Sequence, residues 1–124
     1  MHKTKEVSKL TGLSVRQLQY WDEHGYVVPK IERHRRLYDD RQLRGLMVIA
    51  ALKRRGVSRN DVLAQVNEGF WRFIGYIQLE AGGWLLWDHY GGAEPLRWCP
   101  TEKLLADVAA KAEGPVTIVE FKAA

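Results

Sequence analysis

Cys99 is the single cysteine among 124 residues. One thiol excludes an intrachain disulfide framework and leaves no cysteine pair for zinc or a thiolate metal sensor. Apolar runs are short, well below the roughly 20 residues that a bilayer-spanning helix needs. The first residues, Met1-His2-Lys3-Thr4-Lys5-Glu6, lack the apolar centre of a signal peptide, so the cytoplasm is the expected compartment. No internal repeat or low-complexity segment occurs. Glycine pairs such as Gly82-Gly83 and Gly91-Gly92 sit at strand ends and match no phosphate-binding loop. Glu80, Asp88 and Glu94 have no metal-loop spacing. Asp88-His89 would point to opposite faces of a strand, and no nucleophile has a plausible base. Neither an enzyme nor a cofactor or metal protein is therefore expected.

What remains is ordinary in bulk and uneven in distribution. Apolar residues make up 46% and charged residues 27%, values of a folded chain rather than a collagenous or disordered one. Residues 1–66 carry 14 Lys+Arg against 7 Asp+Glu, whereas residues 67–124 carry 5 against 8. The basic half suits a polyanionic partner, most simply nucleic acid. Four of the five tryptophans and all three phenylalanines fall after residue 66. The polar stretch Asn67-Glu68-Gly69 is taken as the boundary between a 1–66 and a 67–124 domain.

In the first half, residues 4–12 predict a short helix, with Thr4 as its cap, Val7 and Leu10 facing inward and Gly12 ending it. Ser14-Val15-Arg16-Gln17 has capping-box form and starts a second helix over residues 15–24. Val15, Leu18 and either Trp21 or Asp22 follow helical spacing toward one side; Arg16, Gln17 and Tyr20 share the other. Two short helices joined by a tight turn fit a helix-turn-helix, whose second helix enters the major groove. There a guanidinium or an amide makes paired hydrogen bonds to base edges, while Tyr20 would reach a phosphate. Residues 26–38 read as a β-hairpin wing whose Arg33, His34, Arg35 and Arg36 would grip phosphates. Asp39 and Gln42 start a third helix that runs to Gly56, and Ser58 caps a fourth.

These elements carry separated motifs in a fixed order: residues 7–16 (VSKLTGLSVR), Tyr20-Trp21-Asp22-Glu23-His24-Gly25, Pro29, Arg36-Leu37-Tyr38, and Leu52-Lys53-Arg54-Arg55-Gly56-Val57-Ser58. In this the first 66 residues resemble the DNA-binding domain of the mercury-resistance-regulator (MerR) family. The resemblance implies a winged helix-turn-helix and a dimer on a palindromic operator. By position it sets Arg16, Gln17, Gln19 and Tyr20 on the recognition helix, and Arg36 and Tyr38 on the wing. With the Ser14 cap and the wing tip, the candidate DNA-binding set is Ser14, Arg16, Gln17, Gln19, Tyr20, Arg33, His34, Arg35, Arg36 and Tyr38. Gln17, Gln19, Trp21 and Arg35 depart from the residues common in the family, which bears on the operator sequence.

Family members typically continue into a long amphipathic helix that pairs two subunits. Here helical spacing lasts about three turns after Ser58, and heptads are not sustained. Residues 70–79, rich in aromatic and branched side chains, predict a strand. A second strand is expected over 84–90, a helix over 101–111 capped by Thr101, and a last strand over 116–121; a short extra strand is possible at 96–98. The fold class is thus α+β: a winged helix-turn-helix, then a small ββαβ unit. That unit is expected to dimerise, with Trp71, Trp84, Trp87 and Trp98 as core, interface or ligand candidates.

The functional expectation is a sequence-specific transcriptional regulator of double-stranded DNA. It acts as a homodimer, with RNA polymerase as the partner that the resemblance implies and no membrane role. A small-molecule effector is left open. The alternatives are an excisionase-like architectural protein and an adaptor that recruits a partner through its C-terminal domain.

Overall fold

The computed structural model describes residues 1–124. A two-residue strand β1 (His2–Lys3) leads into α1 (Thr4–Thr11) and α2 (Val15–Glu23). Strands β2 (Lys30–Glu32) and β3 (Arg35–Tyr38) form the wing. Helices α3 (Asp40–Arg54), α4 (Arg59–Ala64) and α5 (Glu68–Tyr76) follow. A 3₁₀ turn (Leu79–Ala81) then precedes β4 (Gly83–Asp88), β5 (Leu96–Cys99), α6 (Glu102–Lys111) and β6 (Val116–Phe121). The strands make two antiparallel three-stranded sheets, ordered β1-β3-β2 and β5-β4-β6. No helix is long and apolar enough to cross a membrane.

Local chemistry sets most boundaries. Gly12 takes a left-handed conformation (φ 77°), and its N–H closes α1 on the Ser8 carbonyl, a geometry without side-chain cost only for glycine. Asp39 and Gln42 form a complete capping box at α3, satisfying two N–H groups that the helix start would leave open. Ser14, Ser58, Asn67 and Thr101 each accept a bond from the N–H three residues on. Thr4 was expected to cap α1 but is its first helical residue; Lys3 occupies the cap position and offers no side-chain bond. Leu10, expected to face inward, is exposed, leaving Val7 and Thr11 as the buried positions of α1.

The larger correction concerns residues 70–79. They are not a strand: Glu68–Tyr76 is α5. Asn67 accepts from the Phe70 N–H, and Phe70 and Ile74 are buried one helical turn apart. Cap and period overrule the β-propensity of the individual residues. The segment after residue 66 therefore runs αββαβ rather than ββαβ, and the short strand at 96–98 is real, as β5. The second strand ends at Asp88, two residues before its expected end.

α5 lies against α3, where Gly45 is the contact point. A Cβ there would stand 2.7 Å from the Trp71 ring, so only a glycine lets the indole seat itself. One apolar cluster of 21 residues runs from Val7 through Leu18, Trp21, Ile49 and Ile74 to Leu85 and Val119. Burying each large side chain of this kind contributes about 1.5–3 kcal/mol. Strand β2 is exposed throughout, so the wing projects from this core into solvent.

Candidate nucleic-acid interface

Helix α2 buries one face and presents the other. Leu18 and Trp21 are buried, while Arg16, Gln19 and Tyr20 are exposed. Ser14 fixes the helix start by accepting from Gln17 N–H at 3.0 Å. The reciprocal half of the expected capping box is absent: the Gln17 side-chain Nε2 is buried and bonds nothing. Arg16 and Gln19 thus keep free polar ends, and Gln17 is partly drawn inward.

Tyr20 belongs to a stack. Its ring lies 3.8 Å from that of His24, whose Nδ1 donates to the Tyr20 carbonyl at 2.8 Å. On the Tyr20 ring sits the Arg59 guanidinium, 4.6 Å from the centroid. Arg59 opens α4 next to its Ser58 cap. This arginine, absent from the sequence-derived set, brings a third element to the recognition helix. Its only sequence signal was a cation one residue past a cap, which does not say which helix it meets.

The wing turns at Arg33 and His34, both at positive φ (51° and 65°). Two consecutive left-handed residues match the twist of a two-residue hairpin, a position usually given to Asn-Gly. Here the turn keeps the Arg33 and His34 side chains at a backbone cost of the kind that functional tips retain. Arg35 is also exposed; Arg36 and Tyr38 are placed differently. Arg36 Nε donates to Asp22 Oδ2 at 2.6 Å, tying the wing to α2, and both side chains are mostly covered. Tyr38 is fully buried. Burial, and after it the nearby Asp22 charge, push its phenol up, so it remains neutral. Its assignment as a DNA-contacting residue is corrected: it is a core anchor of β3, and no phosphate reaches it.

The basic balance of residues 1–66 divides in the same way. Arg44 Nη1 donates to the carbonyls of Ile74 and Ile77 at the end of α5, and Arg54 Nη1 to the Thr11 carbonyl at the end of α1. Both are cations at helix C-termini, which the helix dipole favours. Arg41 covers Trp71 and Lys53 covers Trp21. These charges hold the fold. Arg16, Arg33 and Arg35 have exposed side chains, as does Arg59 above its contact with the Tyr20 ring; the four lie on three elements.

The tryptophan candidates do not form one site. Trp87 is buried in the apolar cluster, against its reading as a ligand or interface residue. Trp71 and Trp98 pack on the edge of that cluster, and Trp84 is half-buried on the opposite face of β4. Trp98 lines an open groove of about 550 Å³ between α5 and β5, together with Phe73, Tyr76 and Leu96. Asp88 Oδ1 accepts from Tyr90 N–H, and His89 Nε2 is bonded to Thr117 Oγ1. Cys99 is buried, which pushes its thiol up and away from the reactive thiolate.

Residues 3–62 match the family model described as MerR HTH family regulatory protein. No curated protein matches the chain.

Proposed function

We propose, from the premise that residues 3–62 form a DNA-binding domain of the MerR type, that this protein is a sequence-specific transcriptional regulator. It binds double-stranded DNA as a homodimer on a palindromic operator and works in the cytoplasm. The observation that carries this reading is a set of exposed polar and cationic side chains: Arg16 and Gln19 on α2, Arg33, His34 and Arg35 at the wing tip, and Arg59, which lies over the ring of Tyr20 of α2. A guanidinium with paired donors, or an amide with a donor and an acceptor, on a groove-entering helix reads base edges; the surrounding cations neutralise phosphates and set register.

The role in this reading is binding rather than catalysis; Asp88 and His89 are each engaged in hydrogen bonds near the end of β4. A dimer follows from scale: one winged domain covers one half-site, and two recognition helices about 34–36 Å apart read successive turns of one DNA face. RNA polymerase is the natural partner of such a regulator at a promoter.

Selection of bound duplexes from random sequence tests the reading. The expected product is a palindrome whose affinity falls steeply with salt, by a slope of about 0.9 per phosphate neutralised. Selected and scrambled duplexes that bind alike at moderate salt would refute it. Footprints confined to recombination attachment sites would replace the regulator with an architectural protein.

A further inference from the structure

The exposed stripe of α2 does not end at Tyr20. Arg16, Tyr20 and His24 follow one another at intervals of four, a spacing that sets side chains on one side of a helix. His24 is the residue at which α2 closes, and it is exposed. It stands eight residues beyond Arg16, about 12 Å along a helix that rises 1.5 Å per residue. The major groove is only about 8.5 Å deep. When the helix enters N-terminus first with Arg16 at the bases, His24 therefore comes to the rim, where the backbone phosphates are.

The imidazole is held in a defined state. Its Nδ1 lies 2.8 Å from the Tyr20 carbonyl oxygen, which can only accept, so Nδ1 carries a proton. Nε2 bonds nothing in the chain, and no carboxylate pairs with the ring. In the neutral ring Nε2 is then a bare acceptor that repels a phosphate oxygen; only the imidazolium donates there. Three elements set the surroundings. The Tyr20 ring of α2 stacks at 3.8 Å, Arg59 of α4 lies 4.6 Å from the centre of that ring, and Tyr26, after α2, lies parallel to the imidazole at 6.2 Å. The nearest acids along the chain are turned to the wing: Asp22 is bonded to Arg36, and the Glu23 charge also acts on Arg36.

We propose that a backbone phosphate of bound DNA accepts a hydrogen bond from His24 Nε2, so that each subunit takes up one proton at His24 as it binds. This contact presupposes the DNA-binding reading and adds a proton linkage to it. In the free chain the Arg59 charge opposes protonation of the stack; a phosphate beside it reverses that balance. The imidazolium is thereby favoured in the complex. The added affinity is complete below the pH at which the free ring titrates and is lost as pH rises through the value in the complex.

An NMR titration of the imidazoles in the full chain, free and on the selected duplex at constant ionic strength, tests this. It resolves His24 from His2, His34 and His89, the other histidines. The His24 midpoint is expected to rise by about 0.5–1 pH unit on DNA, which is a gain in affinity of roughly three- to tenfold per subunit between about pH 8 and pH 5.5. His24→Gln should abolish that gain with its melting curve unchanged, and His34→Gln should leave the His24 shift in place. A His24 midpoint that stays or falls on a duplex that is nevertheless bound overturns the contact and keeps DNA binding. An acid-side gain that survives His24→Gln and vanishes in His34→Gln moves the proton to the wing tip and overturns it as well. A chain that binds no duplex at any pH overturns the DNA-binding reading itself.

Discussion

Arg36 Nε and Asp22 Oδ2 lie 2.6 Å apart, an ion pair that ties the wing strand β3 to the last turn of α2. β3 carries Arg36 opposite Ile31 of β2, and Asp22 lies in the last turn of α2. Without the pair, the hairpin would still be held by the β1–β3 ladder, by the Tyr26 and Val27 N–H groups on the Trp21 carbonyl and by the Tyr38 anchor, but would lose this side-chain tie to α2. Arg36 was expected to hold a phosphate; its Nε is instead committed to positioning.

Asp22→Ala and Arg36→Ala should each cost about 1–3 kcal/mol of stability, the range of a charge-assisted hydrogen bond in a partly covered site. The double variant should cost much less than their sum, which a double-mutant cycle of denaturant titrations would measure. DNA affinity should fall in Asp22→Ala too, although Asp22 is an anion. If Asp22→Ala binds DNA more tightly, Arg36 is a phosphate ligand and the positioning role is wrong.

At the wing tip, replacing Arg33-His34 by Asn-Gly should raise stability by about 1 kcal/mol, because the new residues accept left-handed backbone. The same change should lower DNA affinity and flatten the salt slope by about 0.9 for each phosphate no longer neutralised. Melting curves and salt titrations should thus move in opposite directions. A variant that gains stability and keeps its full salt slope would show that the tip does not touch DNA.

Arg16→Ala and Arg59→Ala should differ in kind. Loss of Arg16 should relax preference at particular base pairs, by about 1–3 kcal/mol each. Loss of Arg59 should weaken all duplexes similarly and free about one phosphate. Competition with single-base-pair variants of the selected site separates the two.

The His2 ring meets two carboxylates, Nδ1 with Glu6 at 2.7 Å and Nε2 with Asp40 at 2.6 Å. Only the imidazolium can donate to both. The Glu6 bond first, and the Asp40 bond next, raise the His2 pKa above its usual 6.5. A raised folded-state value means that the contribution is complete below the unfolded value of 6.5 and is lost as pH rises through the folded one. Asp40 is shifted down by the same contact, so its share is present above 3.8 and is lost only as acid titrates it through the lowered value. The melting temperature should therefore drop as pH rises past 6.5 and through the raised value, and His2→Gln should remove most of that drop. An NMR titration placing His2 below 6.5 would refute the clamp.

Gly45→Ala should destabilise by about 1–3 kcal/mol through overpacking against Trp71. Helix propensity alone predicts a gain of about 1 kcal/mol. The sign of the change in chemical denaturation decides between them.

Legibility in the sequence followed the range of the interactions. Caps depend on neighbours within four residues, and Ser14, Asp39, Ser58 and Thr101 were all readable. The wing was readable as well, because extended residues flank a basic turn. The strand expected at 70–79 failed for a related reason. Phe, Trp, Ile and Tyr favour strands on average, but Phe70 and Ile74 also keep helical spacing, and Asn67 was read as a boundary rather than as a cap. Leu10 failed because a one-turn spacing from Val7 does not tell which helix, if any, covers it.

The winged helix-turn-helix and its exposed residues are written in the chain itself, since local caps, turns and a basic face suffice to specify them. Which cations are free is settled only in three dimensions. Arg36, Arg44 and Arg54 look like Arg33, Arg35 and Arg59 along the sequence. Yet Asp22, the Ile74 and Ile77 carbonyls and the Thr11 carbonyl, 14 to 43 residues away in sequence, take up the first three. A guanidinium's role is set by the acceptor it meets, and folding brings that acceptor from elsewhere in the chain.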